Sequence, residues 1–184
     1  MPYLPVTPKI AWKSMQNSVP YKTVSGFAVN AAGKFPILYR TAKVRSAANC
    51  WSLPSGLHEI GLLMEEQFAN ELEEELNLTA IKDKISLTPF GYQIGEYENI
   101  LPEEGWHWCI NVMAVPILDG EFVNKEPDKH NPIEWCDVAG LVAKLPLFHP
   151  SLAKFLKHNV EKIKLIVDAC QKHAIEHQAE LAKQ

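Results

Sequence analysis

The sequence predicts a single layered domain of strands and helices, α/β or α+β, on three observations. The chain has 184 residues, room for one domain of ordinary size and too little for two. Hydrophobic residues make up 47% and charged residues 22%, which is the usage of a chain with a core to fill rather than of a disordered, collagen-like or coiled-coil one. Short runs of strand character bounded by Gly and Pro are mixed with two main stretches of helical period, and no repeat or low-complexity segment is visible.

Pro2, Pro5, Pro8 and Pro20 fall within residues 1–20. Proline fixes φ and removes a donor, so an extended arm is expected there. Residues 22–29 and 35–40 read as strands around a Gly33-containing turn, hence as a hairpin, with Pro36 tolerated near a strand start. Residues 51–61, with Pro54, Gly56 and Gly61, read as a loop. A helix is expected over about 63–76, where Phe68, Ala69, Leu72 and Leu76 recur at helical spacing. Strands are expected over 85–95 and 107–118, separated by the turn-rich 98–105. A polar connection over 119–132 follows, then a short strand about Trp135. A long helix is expected from Ser151 to Lys183, and Ile163, Val167, Cys170 and Ala174 give it one apolar face. That face must be buried against its own domain or the same helix of a second copy, and a homodimer is expected.

The balance of 18 basic against 22 acidic residues argues against long nucleic acid as a partner, since neutralising many phosphates takes a basic excess. A small phosphorylated ligand stays open if metal ions offset its charge. No apolar run is long enough to span a membrane, and no export signal is read at the N-terminus. Cys50, Cys109, Cys136 and Cys170 show no Cys-x-x-Cys spacing, so free thiols and a cytoplasmic location are expected. His107 and Cys109 read as packing or pocket lining rather than a nucleophilic pair, and His158, His173 and His177 as solvent-facing. Trp12, Trp51 and Trp108 suit base stacking, but core or rim packing is the simpler reading.

The most informative stretch is Asn70-Glu71-Leu72-Glu73-Glu74-Glu75-Leu76-Asn77-Leu78. At about 100° per residue, Glu71, Glu74 and Glu75 share one arc of a helix, while Glu73 points elsewhere. Like charges at that spacing repel, and a divalent cation reverses the sign, because hard cations take carboxylate and phosphate oxygens. Taken alone, the run reads more readily as a solvated acidic face.

With its surroundings, this stretch resembles the Nudix hydrolases, whose signature reads G-x5-E-x7-R-E-U-x-E-E-x-G-U, with U a bulky aliphatic residue. From Gly56 the chain supplies Glu71, Leu72, Glu74, Glu75 and Leu78 in register, with Leu62, Asn70 and Asn77 at the positions of the first Glu, the Arg and the later Gly. Trp51-Ser-Leu-Pro54-Ser-Gly56 is similar to the family's W-x-x-P-G-G approach to the signature. His107 to Met113, Glu126 to Lys129, Glu134-Trp135, Leu145 to Phe148 and Pro150 resemble the second half of the MutT-type members, so the likeness covers about residues 22–157. The resemblance implies an α/β/α sandwich with a mixed sheet over 21–157, preceded by the arm of 1–20 and followed by an added helix over 158–184. It implies Mg²⁺ or Mn²⁺ held by Gly56, Glu71, Glu74, Glu75 and Glu126, with one of the glutamates taking the proton of the attacking water. It implies substrate contacts at Arg40, Trp51, Phe148, His149 and Ser151. The activity implied is splitting of a nucleoside triphosphate into monophosphate and diphosphate. Its rivals are cleavage of a nucleoside diphosphate linked to a sugar or other group, and a non-catalytic domain that binds a nucleotide or a protein.

Overall fold

The computed structural model describes residues 20–44, 46–81, 91–101 and 106–183. The Pro-rich arm with Trp12, and the first part of the strand expected over 85–95, lie outside these residues. Strand β1 (Tyr21–Val29) is buried without interruption from Thr23 onward. Successive residues of one strand are all buried only when both faces are covered, and the topology supplies both covers. Four strands run in the order β4-β1-β6-β5, with β4 at Ser55–Leu57, β5 at Tyr92–Leu101 and β6 at Trp106–Pro116. β1 is parallel to β6 and antiparallel to β4, and β5 is antiparallel to β6, so the sheet is mixed. A second, antiparallel sheet has the order β3-β2-β7, with β2 at Phe35–Arg40, β3 at Cys50–Ser52 and β7 at His130–Cys136.

Helix α1 (Met64–Leu76) covers one side, where Phe68, Ala69, Leu72 and Leu76 pack with Val24, Ala28, Met113 and Val115. Three helices belong to the other side: α2 (Val138–Lys144), α3 (Pro150–His158) and α4 (Val160–Leu181). There Phe155, Leu156, Ile163, Val167 and Cys170 meet Phe27, Val29, Val112 and Ala114. Odd and even positions of β1 and β6 thus serve opposite cores, and the chain is an α/β/α sandwich. No described helix is long and apolar enough to cross a membrane, and all four cysteines are free thiols.

Several expectations change. The strands at 21–29 and 35–40 exist, but they are not a hairpin: they belong to different sheets. The turn chemistry was legible, with the Asn30 side-chain oxygen accepting the N–H groups of Ala32 and Lys34 at 3.1 and 2.9 Å. The edges of β1, however, are taken by β4 and β6. The loop expected over 51–61 holds most of β3 and all of β4. The second long strand runs 92–101 rather than ending at 95, and β7 starts at His130, inside the connection expected over 119–132. Pro132 is accepted there because β7 is an edge strand. The helix α2 was not anticipated, although Asp137 caps it through the Gly140 N–H at 2.7 Å.

The long terminal helix is two helices. At Asn159 the side-chain amide donates to the Phe155 carbonyl at 2.8 Å and competes with the backbone ladder. The apolar stripe of α4 is buried within its own chain, with Ile163, Val167, Cys170 and Ala174 at most 3% exposed. The argument for a homodimer from that stripe therefore falls away. Val167→Asp is expected to place an unpaired charge in the core, at a cost of about 3–5 kcal/mol. For a domain of this length that lowers the melting temperature by roughly 10 °C. Thermal denaturation checks it, and a melting point within a few degrees of the parent's would refute the assigned packing.

Candidate active site

Helix α1 carries the acidic groups because its apolar stripe, with Phe68 and Leu72 fully buried, must face the sheet. That contact fixes the azimuth of every other residue. Around the rest of the helix Glu73 and Glu74 are exposed, Glu71 is half-buried and Glu75 is buried. The helix starts without a polar cap residue. The Leu63 N–H is instead satisfied by the Glu66 carboxylate at 3.0 Å. It ends at Asn77, whose left-handed φ of 57° lets its N–H reach back to the Glu73 carbonyl. Asn thus does the work of the Gly that the resemblance puts there.

The edge strand β4 brings the loop backbone onto the carboxylates. A Cβ on Gly56 would lie 1.8 Å from the Glu71 carboxylate, so only glycine lets the strand and that side chain approach as they do. The Ser55 backbone hydrogen-bonds to Glu75. Gln67, 4% exposed, ties the loop to the helix: its amide donates to Glu71 Oε1 at 2.8 Å, and its oxygen accepts the Glu59 N–H at 3.1 Å. Where the resemblance has a Glu and an Arg, Leu62 and Asn70 stand, and the connection between loop and helix is made by Gln67. Gln67→Met keeps the length and loses both hydrogen bonds. It is expected to cost about 1–3 kcal/mol of stability and to lower any turnover about tenfold, by releasing Glu71. Paired melting and rate measurements check this, and an unaltered rate would show that Glu71 needs no such support.

The segment after β6 closes the site from the other side. Val123 and Lys125 donate their N–H groups to the carbonyls of Leu76 and Glu75 at 2.8 and 3.0 Å, docking the loop on the end of α1. Glu126 follows, with one carboxylate oxygen paired to Lys129. A carboxylate oxygen each from Glu75 and Glu126 and a ring nitrogen of His130 lie within 4.8 Å of one another. Glu75 Oε2 and Glu126 Oε2 are buried with no hydrogen-bond partner among the described residues.

The electrostatics follow from this crowding. Burial, then the charges of Glu71 and Glu126, push the Glu75 carboxyl up to about 8. Glu71 is raised by burial, with the charges of Glu74, Glu126 and Glu59 adding to the effect and the Gln67 hydrogen bond opposing it. His130 is pushed down to about 4 by burial and by Arg40, so its imidazole is neutral at ordinary pH. A divalent cation would offset the repulsion among these carboxylates. The orphaned oxygens and the glycine-backed carboxylate fit one, through Glu71, Glu75 and Glu126 with Glu74 at the rim.

Beside this centre lies a cavity of about 240 Å³, with Ser55 and Gly56 in its wall. Arg40 and His149 line it, as do Thr23, Ser25, Asn99 and Trp108. The Arg40 guanidinium holds the Ser46 and Ala47 carbonyls at 2.9–3.3 Å, which folds the loop after β2 over the cavity. Ser151 donates to Asn99 Oδ1 at 3.0 Å, which places it at the cavity margin. Trp51 and Phe148 do not line the cavity. They are 6% and 4% exposed in the core, where Trp51 meets the Tyr39 ring edge-on at 5.5 Å. The sequence reading missed His130 and the polar wall of β1. Thr23 and Ser25 were visible as polar residues at alternate positions of an apolar strand. Nothing local marked His130, which arrives through the pairing of β7 with β2 opposite Arg40.

No protein-family model matches the chain, and no curated protein matches it in sequence. Solved structures do. The MutT protein of Methanosarcina mazei Go1 superposes with a TM-score of 0.61 at 19% identity, covering 80% of this chain and 96% of that one. A MutT Nudix hydrolase from Burkholderia pseudomallei superposes at 0.58 with 23% identity, covering 75% and 97%. A Nudix hydrolase from Nitrosomonas europaea gives 0.59 at 14% identity, covering 78% and 90%. The fold is that of the Nudix hydrolases, and the acidic helix, the glycine strand and the Glu126 loop lie within it.

Proposed function

We propose that this chain is a divalent-metal-dependent pyrophosphohydrolase that splits a nucleoside triphosphate into monophosphate and diphosphate. The observation that carries the reading is the pair of partnerless carboxylate oxygens, Oε2 of buried Glu75 and Oε2 of half-buried Glu126, beside Glu71 and Gly56 and next to a cavity whose wall holds the Arg40 guanidinium. Buried carboxylates without partners are costly, and a site that assembles them is built for a cation. Mg²⁺ or Mn²⁺, when bound, neutralises phosphate charge and makes a bound water acidic.

The chain's own residues do the rest. Glu71 and Glu75 present oxygens toward the strand β4, and Gln67 keeps Glu71 from rotating away. Glu126, with one oxygen occupied by Lys129, turns the other to the centre, and one of the glutamates there accepts the proton of the attacking water. Arg40 places a fixed positive charge in the cavity wall. At about 240 Å³ the cavity is below the roughly 300–1,000 Å³ of pockets that enclose whole ligands. It takes the base or sugar, with the phosphates toward the carboxylates. Thr23, Ser25 and Asn99 offer neutral donors and acceptors to that group, and Trp108 a ring face.

Leu62 and Asn70 favour a second reading, a non-catalytic domain that binds a nucleotide. Release of phosphate and diphosphate from a panel of nucleoside triphosphates and nucleoside diphosphate conjugates, with Mg²⁺ or Mn²⁺, separates them. Diphosphate from a triphosphate supports the proposal. Cleavage of conjugates alone moves the substrate class, and nucleotide binding without release supports the second reading.

A further inference from the structure

We propose that Glu75, Glu126 and His130 form a nitrogen-containing metal site that selects a first-row transition-metal dication over Mg²⁺. This rests on reading the acidic centre as a metal centre, and adds to it a ligand from outside the acidic helix and its signature.

The backbone between Glu126 and His130 is tightly held. The His130 N–H donates to the Glu126 carbonyl at 3.0 Å, the Asn124 side chain donates to the His130 carbonyl at 2.6 Å, and the Glu126 N–H donates to Asn124 Oδ1 at 3.0 Å. This turn sets the Glu126 and His130 side chains beside one another. The pairing of His130 with Arg40 then anchors it to the second sheet. His130 is 5% exposed, so its ring is kept in place rather than sampling solvent.

Three donor atoms, two oxygens and one nitrogen, come within 4.8 Å of one another. Independently, Glu75 is more than nine-tenths buried, at 7% exposed, and its Oε2 has no partner among the described residues. Lys129 occupies one oxygen of Glu126 and leaves Oε2 without a partner. An internal hydrogen-bond network would have satisfied these atoms.

The donor set decides the ion. Mg²⁺ takes oxygen ligands and keeps its waters, whereas imidazole suits transition metals. Mn²⁺ is the probe of choice, because it accepts carboxylate oxygens and its unpaired electrons report on bound nitrogen.

The test uses the full chain and MnCl₂ alone, without nucleotide. Electron spin-echo modulation of bound Mn²⁺ is expected to show ¹⁴N coupling, replaced by a ¹⁵N pattern in protein labelled with [¹⁵N]histidine. His130→Gln is expected to abolish the coupling and weaken Mn²⁺ binding about 10–100-fold, with Mg²⁺ binding changed much less. His149→Gln, whose ring lies in the cavity wall, is expected to keep the coupling. If His130→Gln does not fold, retention of the coupling in His149→Gln still assigns the nitrogen away from the cavity. Bound Mn²⁺ with no histidine coupling in the parent overturns the proposal, as does a coupling lost in His149→Gln. Turnover without nitrogen coupling refutes this site alone, and coupling without turnover on any nucleotide refutes the hydrolase reading alone.

Discussion

Glu75→Gln is expected to lower turnover by about 10² or more and, in the same molecule without metal, to raise stability above neutral pH. Both effects have one cause. Glu75 is 7% exposed, Glu71 and Glu126 surround it, and its carboxyl is pushed up to about 8. In the unfolded chain it titrates near 4.5, the ordinary value. Between those values the folded protein holds a proton that the unfolded chain has released, so raising the pH favours unfolding. His130 acts in the opposite sense: folded near 4 and unfolded near 6.5, it adds stability as pH rises through that range. Above 6.5 the His130 contribution levels off, and Glu75, with the raised Glu71 carboxyl acting in the same sense, sets the slope up to about 8. Over that window the metal-free parent is expected to lose about 2 kcal/mol, roughly 5 °C in melting temperature. The Gln variant has no such charge, and its amide donates to the neighbouring carboxylates, so its melting temperature is expected to be level over the same window. Melting curves in chelator between about pH 6 and 8.5 check this, since they bracket the window in which the proton is lost, and saturating Mn²⁺ should level the parent as well. A variant that turns over at the parent rate, or keeps the parent's slope, would show that Glu75 is not at the centre.

Gly56→Ala is expected to be the second large loss, and to separate geometry from stability. The new methyl would sit 1.8 Å from the Glu71 carboxylate, where real contacts are essentially never under 3.0 Å. Glu71 must retreat by more than an ångström. Its carboxylate is the tip of a flexible side chain, so the backbone need not move and folding should be kept, with a melting temperature within a few degrees of the parent's. A displacement of about 1 Å at a reacting centre is worth about 10² in rate, and turnover should fall by at least that much. Removing the Glu71 charge with Glu71→Gln already forfeits what that side chain contributes, so the double variant Gly56→Ala, Glu71→Gln should be no worse than Glu71→Gln alone. Rates and melting curves for the three proteins decide it. A Gly56→Ala enzyme as active as the parent would mean that Glu71 works from a different position.

Local patterns in the chain determined a good deal. The helix at 64–76 was legible because its apolar residues recur at helical spacing, and the same period placed Glu71, Glu74 and Glu75 together on one arc. Asn77 was legible as the residue at the position of the resemblance's later Gly, and its left-handed φ shows why Asn can stand there. Strands at 21–29 and 35–40 followed from composition and turn residues. The stripe of α4 was also legible. What buries it was not, because amphipathicity says that a face is covered without saying by what. Tertiary structure alone decided the rest. Period-two alternation cannot name a strand's neighbour, so β1 and β2 parted into two sheets. Trp51 and Phe148 went to the core, since large apolar rings gain most from full burial. Of the carboxylates on the acidic arc, Glu74 stayed exposed while Glu75 was buried, a difference made by the strand β4 and the loop that dock on one side of the helix. His130 joined Glu75, far from it in sequence, because the loop before it docks on the end of the acidic helix and β7 pairs with β2. Proximity between distant residues is set by strand pairing and layer packing, and these depend on long-range burial that no local window contains.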